Sequence, residues 1–282
     1  MIKLSAFSDE AGSGIQEQIG AMKRNGISLT ELRSIGGKNV ADFTLEEAAE
    51  YQSEFEKNGI SVWSIGSPLG KVNVTVDFSE YMKKVRRVCE IANVFHTDKI
   101  RIFSFWHAYE SEEKVYEYLR EMVKAGKEYG VEMYHENEKD IFGDTASRVE
   151  KIMKNVEGLK YIYDPANFLQ CGEPAQKTLD LFHKKTSYFH IKDVISATGE
   201  IVPAGYGDGM IRELLSRITG DTVLTLEPHL ALFDAYKSID GTEMKHKFIY
   251  KNGNEAFDAA VSALKKLLAE VGYVEENGEF YR

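Results

Sequence analysis

Eight short runs rich in β-branched and aromatic residues recur along the chain, each followed by a longer amphipathic stretch, and this alternation restricts the fold more than any other feature of the sequence. The apolar runs are Ile2 to Phe7, Ile27 to Leu32, Ile60 to Ile65, Lys99 to Phe103, Val131 to Glu136, Tyr161 to Asp164, Tyr188 to Lys192 and Val223 to Glu227. The helical patterns are Gly14 to Arg24, Thr44 to Lys57, Ser79 to Val94, Glu110 to Tyr129, Thr145 to Asn155, Ala175 to Lys184, Met210 to Arg217 and Asn254 to Glu270. Start and stop chemistry agrees: Thr44 and Glu47 have capping-box spacing, and Gly26, Gly59 and Gly130 close helical stretches just before a strand. Strands alternating with helices are parallel and joined by right-handed crossovers, and eight such units in 282 residues fit a closed (β/α)8 barrel better than an open doubly wound sheet. SDEAGSG follows the first run where a dinucleotide fold would carry G-x-G-x-x-G.

One domain over 1–282 is expected. The one long interruption, 228–253, carries Leu230, Leu232, Phe233, Tyr236, Phe248 and Tyr250 and is too apolar for a free loop. It reads as a lid over the barrel mouth or as an oligomer contact, which leaves a homo-oligomer open. With 35 Lys and Arg against 45 Asp and Glu, the chain carries a net charge of −10, which repels a phosphodiester backbone and argues against nucleic acid as a partner. No apolar stretch approaches the roughly 18 residues of a membrane span, and MIKLSAFSDE has no signal-peptide core. No membrane partner and a cytoplasmic location are expected. Cys89 falls in a helical pattern and Cys171 in a turn, without metal-type spacing.

In a barrel of this kind, chemistry sits at the C-terminal ends of the strands. The last four runs end in MYHENE, YIYDPAN, YFHIKD and TLEPH. Side chains two apart share a strand face, so Glu136, Asp164 (with Ile162), His190 (with Tyr188 and Lys192) and Glu227 (with Val223 and Thr225) can converge over the mouth. Three carboxylates and an imidazole in one low-dielectric site repel strongly unless a cation neutralises them. A divalent metal resolves this: oxygen-rich ligation with one nitrogen favours Mn²⁺ or Mg²⁺, with Co²⁺ or Zn²⁺ as further options.

The successive tokens HENE, YDPANF, FHIKD and LEPH, with SIGSPLGK after the third run and VPAGYGDG after the seventh, resemble the xylose isomerase-like TIM-barrel superfamily of sugar phosphate isomerases and epimerases from Leu4 to about Leu268. The resemblance implies that Glu136, Asp164, His190 and Glu227 ligate one divalent ion and that Glu136 and Glu227 double as the acid/base pair. Two departures narrow it. Related ketose epimerases carry an arginine shortly after the metal histidine, where this chain has Lys192 in IKDVISATGE, and the endonuclease branch needs further histidines where the first three runs end in Phe7, Leu32 and Ile65.

A metal bound to a carbonyl and its neighbouring hydroxyl stabilises an enediolate. Two carboxylates on opposite sides of the carbon then permit epimerisation, and one permits isomerisation. The expected function is a metal-dependent isomerase or epimerase of a small sugar or polyol derivative. The alternatives are a dehydratase acting on a keto-inositol or related compound, and a non-catalytic sugar-binding protein. Weaker substrate-binding candidates are Lys71 in SPLGK, Lys192, Asn167, His229, the aromatic wall Phe105 and Trp106, and Glu31 and Arg33, which either contact sugar or pair with each other. His135 has the opposite parity to Glu136 and is expected to pack against a helix. Gly205, Gly207 and Gly209 in PAGYGDG are spaced as in a phosphate cradle at a helix N-terminus.

Overall fold

Each apolar run forms a strand. They are β1 (Ile2–Ala6), β2 (Leu29–Leu32), β3 (Ser61–Ile65), β4 (Lys99–Ile102), β5 (Glu132–Glu136), β6 (Lys160–Tyr163), β7 (Tyr188–Ile191) and β8 (Thr222–Leu226). The computed structural model describes residues 1–231 and 248–282. All neighbouring strands run parallel in chain order, and β8 returns to β1 through Leu4↔Leu224 and Ala6↔Leu226, closing an eight-stranded barrel. Around it lie α1 (Ile15–Asn25), α2 (Leu45–Lys57), α3 (Phe78–Val94), α4 (Glu112–Glu128), α5 (Ala146–Asn155), α6 (Pro165–Gln170), α7 (Ala175–Phe182), α8 (Ile211–Arg217) and α9 (Gly253–Glu270). The capping box at α2 forms: Glu47 N donates to Thr44 Oγ1 at 3.1 Å, and Thr44 N donates to Glu47 Oε2 at 2.8 Å.

Strand parity sorts the core into two parts. Outward residues such as Leu4, Ile100, Met133, Phe189 and Leu224 meet the helices in the main core. Tyr134, Ile162, Tyr188 and Val223, packed with Leu29 and Trp63, form a separate cluster inside the barrel. Tyr134, Ile162, Tyr188 and Val223 share faces with Glu136, Asp164, His190 and Glu227, so the apolar plug is the floor beneath the polar residues.

The sequence reading missed several pieces, among them a short hairpin of Ser34–Ile35 with Lys38–Asn39. Helix α6 is short, with Pro165 in its first turn and Asp164 capping it through Oδ1, which accepts from Asn167 N at 3.0 Å. A hairpin of Asp193–Ile195 with Glu200–Val202 follows β7. A further hairpin, Val274–Glu276 with Glu279–Tyr281, adds antiparallel to β1 through Ile2↔Phe280 and Lys3↔Glu279. In the interruption after β8, Leu230 is buried and Tyr250 packs against the core, whereas Leu232, Phe233 and Tyr236 lie outside the described residues. Among the described residues, no helix is long and apolar enough to cross a membrane.

Candidate active site

Strand β7 places His190 at the middle of the polar layer, fully buried, with its ring held between two carboxylates. Nδ1 lies 3.0 Å from Glu136 Oε1 and 3.5 Å from Glu227 Oε2, and Nε2 lies 3.0 Å from Glu31 Oε2. Burial alone would push the imidazole down, yet Glu136 and Glu31 outweigh it and hold the ring well above its usual value. The ring of Phe7 meets it edge-on at 5.3 Å and carries the Arg33 and Arg101 guanidinium carbons at 4.4 and 4.9 Å from its centroid.

Arg101 was not among the expected site residues. It comes from β4, where it alternates with outward Ile100 and Ile102, and it donates from Nη1 to Glu136 Oε2 at 3.2 Å and lies 3.8 Å from Glu227 Oε1. Applying the parity rule to KIRIF would have found it, because Lys99, Arg101 and Phe103 share one face.

Lys192 is 4% exposed, with Nζ 2.9 Å from Asp164 Oδ2 and 3.3 Å from Glu227 Oε2. Burial pushes the Asp164 carboxyl up to about 7, despite Lys192. Glu227 moves the other way: Lys192 and the hydrogen bonds from His190 and His229 outweigh its burial and hold it well below the usual carboxylate range.

Four expected substrate contacts have other work. Arg33 and Glu31 do not pair with each other. Arg33, 2% exposed, forks onto Asp9 at 3.0 and 2.9 Å, reaches Glu10 Oε1 at 3.2 Å and bonds Glu227 Oε1 at 3.2 Å, so it pins the loop after β1 to the end of β8. Glu31 is fully buried between His190 and Tyr188, whose Oη donates to Glu31 Oε1 at 3.1 Å. Asn167, in the first turn of α6, donates to Glu136 Oε1 at 3.2 Å and to Asn137 O at 2.9 Å. Asn137 and Asp164 exchange side-chain and backbone bonds at 3.0 and 2.8 Å, a lock between the ends of β5 and β6. Phe105 is fully buried against Phe78 and Tyr118 with φ 70°, so it is core rather than pocket wall.

Trp106 and Lys71 do face a cavity, of about 340 Å³, which His107, Tyr109, Glu138 and Asp140 also line. Lys71 Nζ pairs with Glu138 Oε2 at 2.9 Å. His229 is buried, with Nε2 3.5 Å from both Glu10 Oε1 and Glu227 Oε1, and burial pushes its imidazole down to about 4. His135 packs outward as expected, 3.0 Å from Ser104 Oγ.

The glycine loop is not a phosphate cradle. The Asp193 carboxylate accepts from the backbone N–H groups of Val194, Gly205, Gly207 and Gly209 at 2.9, 2.8, 3.1 and 2.8 Å, so a side chain of the same protein already fills the nest.

Glu136, Asp164, His190 and Glu227 each offer a donor atom, and these atoms lie within 4.8 Å of one another. The fully buried Asp164 Oδ2 has Lys192 close by but no aligned hydrogen bond. Three hard oxygens, one imidazole nitrogen and a carboxylate oxygen with unspent acceptor capacity fit a divalent ion. The repulsion that pointed to a metal from sequence is nevertheless met in large part by Arg33, Arg101 and Lys192.

Solved structures share the fold at low identity. The probable 3-DHS dehydratase AsbF involved in petrobactin synthesis from Bacillus anthracis is 16% identical, with a TM-score of 0.71 over 93% of this chain and 98% of that one. An IolI protein with a bound zinc atom is 15% identical, with a TM-score of 0.68 over 95% of this chain and 97% of that one. An L-ribulose 3-epimerase is 13% identical, with a TM-score of 0.70 over 96% of this chain and 97% of that one. No curated protein matches the chain by sequence. A sequence-family model, xylose isomerase-like TIM barrel, matches residues 19–267, and the chain belongs to that family.

Proposed function

We propose that the chain is a divalent-metal-dependent isomerase or epimerase of a small sugar or sugar derivative, with Glu136, Asp164, His190 and Glu227 as the ligands and Glu136 and Glu227 as the acid/base pair. The observation that supports this is the convergence of Glu136 and Glu227 on His190 Nδ1, at 3.0 and 3.5 Å, in a group of four donor side chains whose ligand atoms lie within 4.8 Å of one another. A bound divalent ion supplies Lewis-acid polarisation of a carbonyl and its neighbouring hydroxyl. The side chains do the rest. Glu136 and Glu227 take and return a proton at the carbon next to that carbonyl, Arg101 and Asn167 hold Glu136, and Arg33 holds Glu227. Trp106 and Lys71 receive the distal part of the substrate in their cavity. A single barrel domain in the cytoplasm completes the reading.

A dehydratase is the second reading, and Lys192 favours it. A buried ammonium 3.3 Å from Glu227 is placed to protonate a departing hydroxyl, and the similar fold of AsbF carries a dehydratase name.

The test is incubation of Mn²⁺-loaded protein with ketoses, aldoses and keto-inositols in D₂O. Deuterium should enter at the carbon next to the carbonyl, and product NMR separates epimer, isomer and dehydrated product. Glu136→Gln and Glu227→Gln should each lower turnover about 10²- to 10⁴-fold. Near-native turnover in both variants moves the acid/base pair elsewhere.

A further inference from the structure

Glu31 sits on β2, across the barrel from β7, and it is 0% exposed. An isolated carboxylate at that depth is costly unless both oxygens are engaged. Both are: Oε2 lies 3.0 Å from His190 Nε2, and Oε1 accepts from Tyr188 Oη at 3.1 Å. The local chain is shaped for this. The β2–β3 register runs Thr30↔Val62 and then Glu31↔Ser64, so Trp63 is an extra residue on β3 and Ser64 comes level with Glu31. Ser64 Oγ lies 3.4 Å from the same Tyr188 hydroxyl, which fixes the phenol and through it the carboxylate.

The geometry points to Glu31 as a positioning residue: its carboxylate claims the Nε2–H of His190 and thereby turns Nδ1 toward Glu136, Asp164 and Glu227. This rests on the reading of His190 as a metal ligand. A ring nitrogen can ligate only with its lone pair free, and which nitrogen is free is set by the hydrogen bond the other one makes. Glu31 makes that choice from the side of the ring opposite Glu136. Tyr188 sits one step further out, also 1% exposed, and keeps Glu31 from rotating. Sequence reading put Glu31 in contact with substrate. Its burial and its two partners place it behind the ligand instead.

The experiment is a Mn²⁺ titration of the metal-free full-length protein, followed by electron paramagnetic resonance, for wild type, Glu31→Gln, Glu31→Asp and Tyr188→Phe, each checked for a native melting transition. Glu31→Gln should weaken Mn²⁺ binding about 10- to 100-fold, the usual loss when a ligand's hydrogen-bond partner is removed. Glu31→Asp keeps the charge but is one methylene shorter. It should weaken binding comparably if position matters, and hardly at all if Glu31 contributes only charge, which would overturn the proposal. Histidine ring spectra of Zn²⁺-loaded protein give a second readout: the His190 Nε2–H proton should lie downfield in the wild type, as for an N–H held by a carboxylate, and move upfield in Glu31→Gln.

Should the Glu31 variants fail to fold, Tyr188→Phe carries the test, since it removes only the hydroxyl that anchors the carboxylate. Weaker Mn²⁺ binding there supports the proposal, and unchanged binding overturns it. A wild type that binds neither ion removes the metal reading itself, whereas a wild type that binds, with variants equal to it, removes only the role of Glu31.

Discussion

Arg101 Nη1 donates to Glu136 Oε2 at 3.2 Å and stands 3.8 Å from Glu227 Oε1, so a single guanidinium on β4 spans the two glutamates proposed to move the proton. Removing one partner of a buried pair costs about 3–5 kcal/mol, because the other charge stays behind. Arg101→Met should therefore lose about that much stability in urea unfolding of the metal-free protein. Added Mn²⁺ should restore part of the loss by supplying positive charge at the same carboxylates. An identical loss with and without Mn²⁺ contradicts this account.

Asp164 uses its two oxygens differently: Oδ1 caps α6, and Oδ2 lies 2.9 Å from Lys192 Nζ and is the oxygen left for the proposed ion. Asp164→Asn keeps the capping acceptor and mimics a carboxyl that burial raises to about 7, so it should fold well while losing the ion. Asp164→Ala should lose the ion and, in addition, about 0.5–2 kcal/mol of capping stability. Elemental analysis after dialysis, with about one ion per chain expected in the wild type, and denaturant melts read the two effects separately. Full metal retention by Asp164→Asn removes Asp164 from the ligand set.

Gly207 stands where no side chain fits: a Cβ there would lie 2.4 Å from Asp193 Oδ1 and 2.6 Å from Val194 O. Gly207→Ala should cost about 1–3 kcal/mol by forcing the loop off the carboxylate it wraps. Added phosphate should leave the stability of wild type and variant unchanged, since Asp193 occupies the N–H groups. Stabilisation of the wild type by millimolar phosphate, lost in Gly207→Ala, contradicts this.

His135 gives a pH dependence with a definite sign. Burial pushes its imidazole down to about 3, against about 6.5 in an unfolded chain. As pH falls, the unfolded state takes up the proton first. Stability from this residue is thus complete above about pH 6.5 and is lost toward pH 3, by at most about 1.4 kcal/mol per pH unit. Relative to His135→Gln, the wild type should lose ground as the pH falls from about 6.5 toward 3. Parallel pH profiles of unfolding free energy for the two proteins would show that His135 titrates normally when folded.

The eight strands were legible because a parallel strand buried on both faces leaves a dense apolar run, and their ends fall within one or two residues of the runs read from sequence. The inward positions of Glu136, Asp164, His190 and Glu227 followed from two-residue periodicity alone. What periodicity does not contain is the partner across the barrel. Glu31 and Arg33 were visible as polar strand-end residues, but their engagement by His190, Asp9 and Glu10 depends on contacts between strands and loops far apart in sequence. Arg101 was a different case, since its inward register was readable but its run, KIRIF, ends in Phe103 and not in an acid or a histidine. The C-terminal hairpin left no signal because its strands, VEE and EFY, are three residues each and mostly exposed.

Glu31 and His190 are 159 positions apart, and Arg33 and Glu227 are 194 apart. Contacts at such separation form only after long loops have been closed, which makes them late and slow events in folding. The cluster is therefore complete only at the end: α1 to α5 can wind and dock on early strands, and Arg101 can meet Glu136, while Glu31 and Arg33 still lack their partners on β7 and β8. During refolding, helical circular dichroism should recover well before Mn²⁺ is taken up, and the lag between the two signals times the zipping of β8 onto β1.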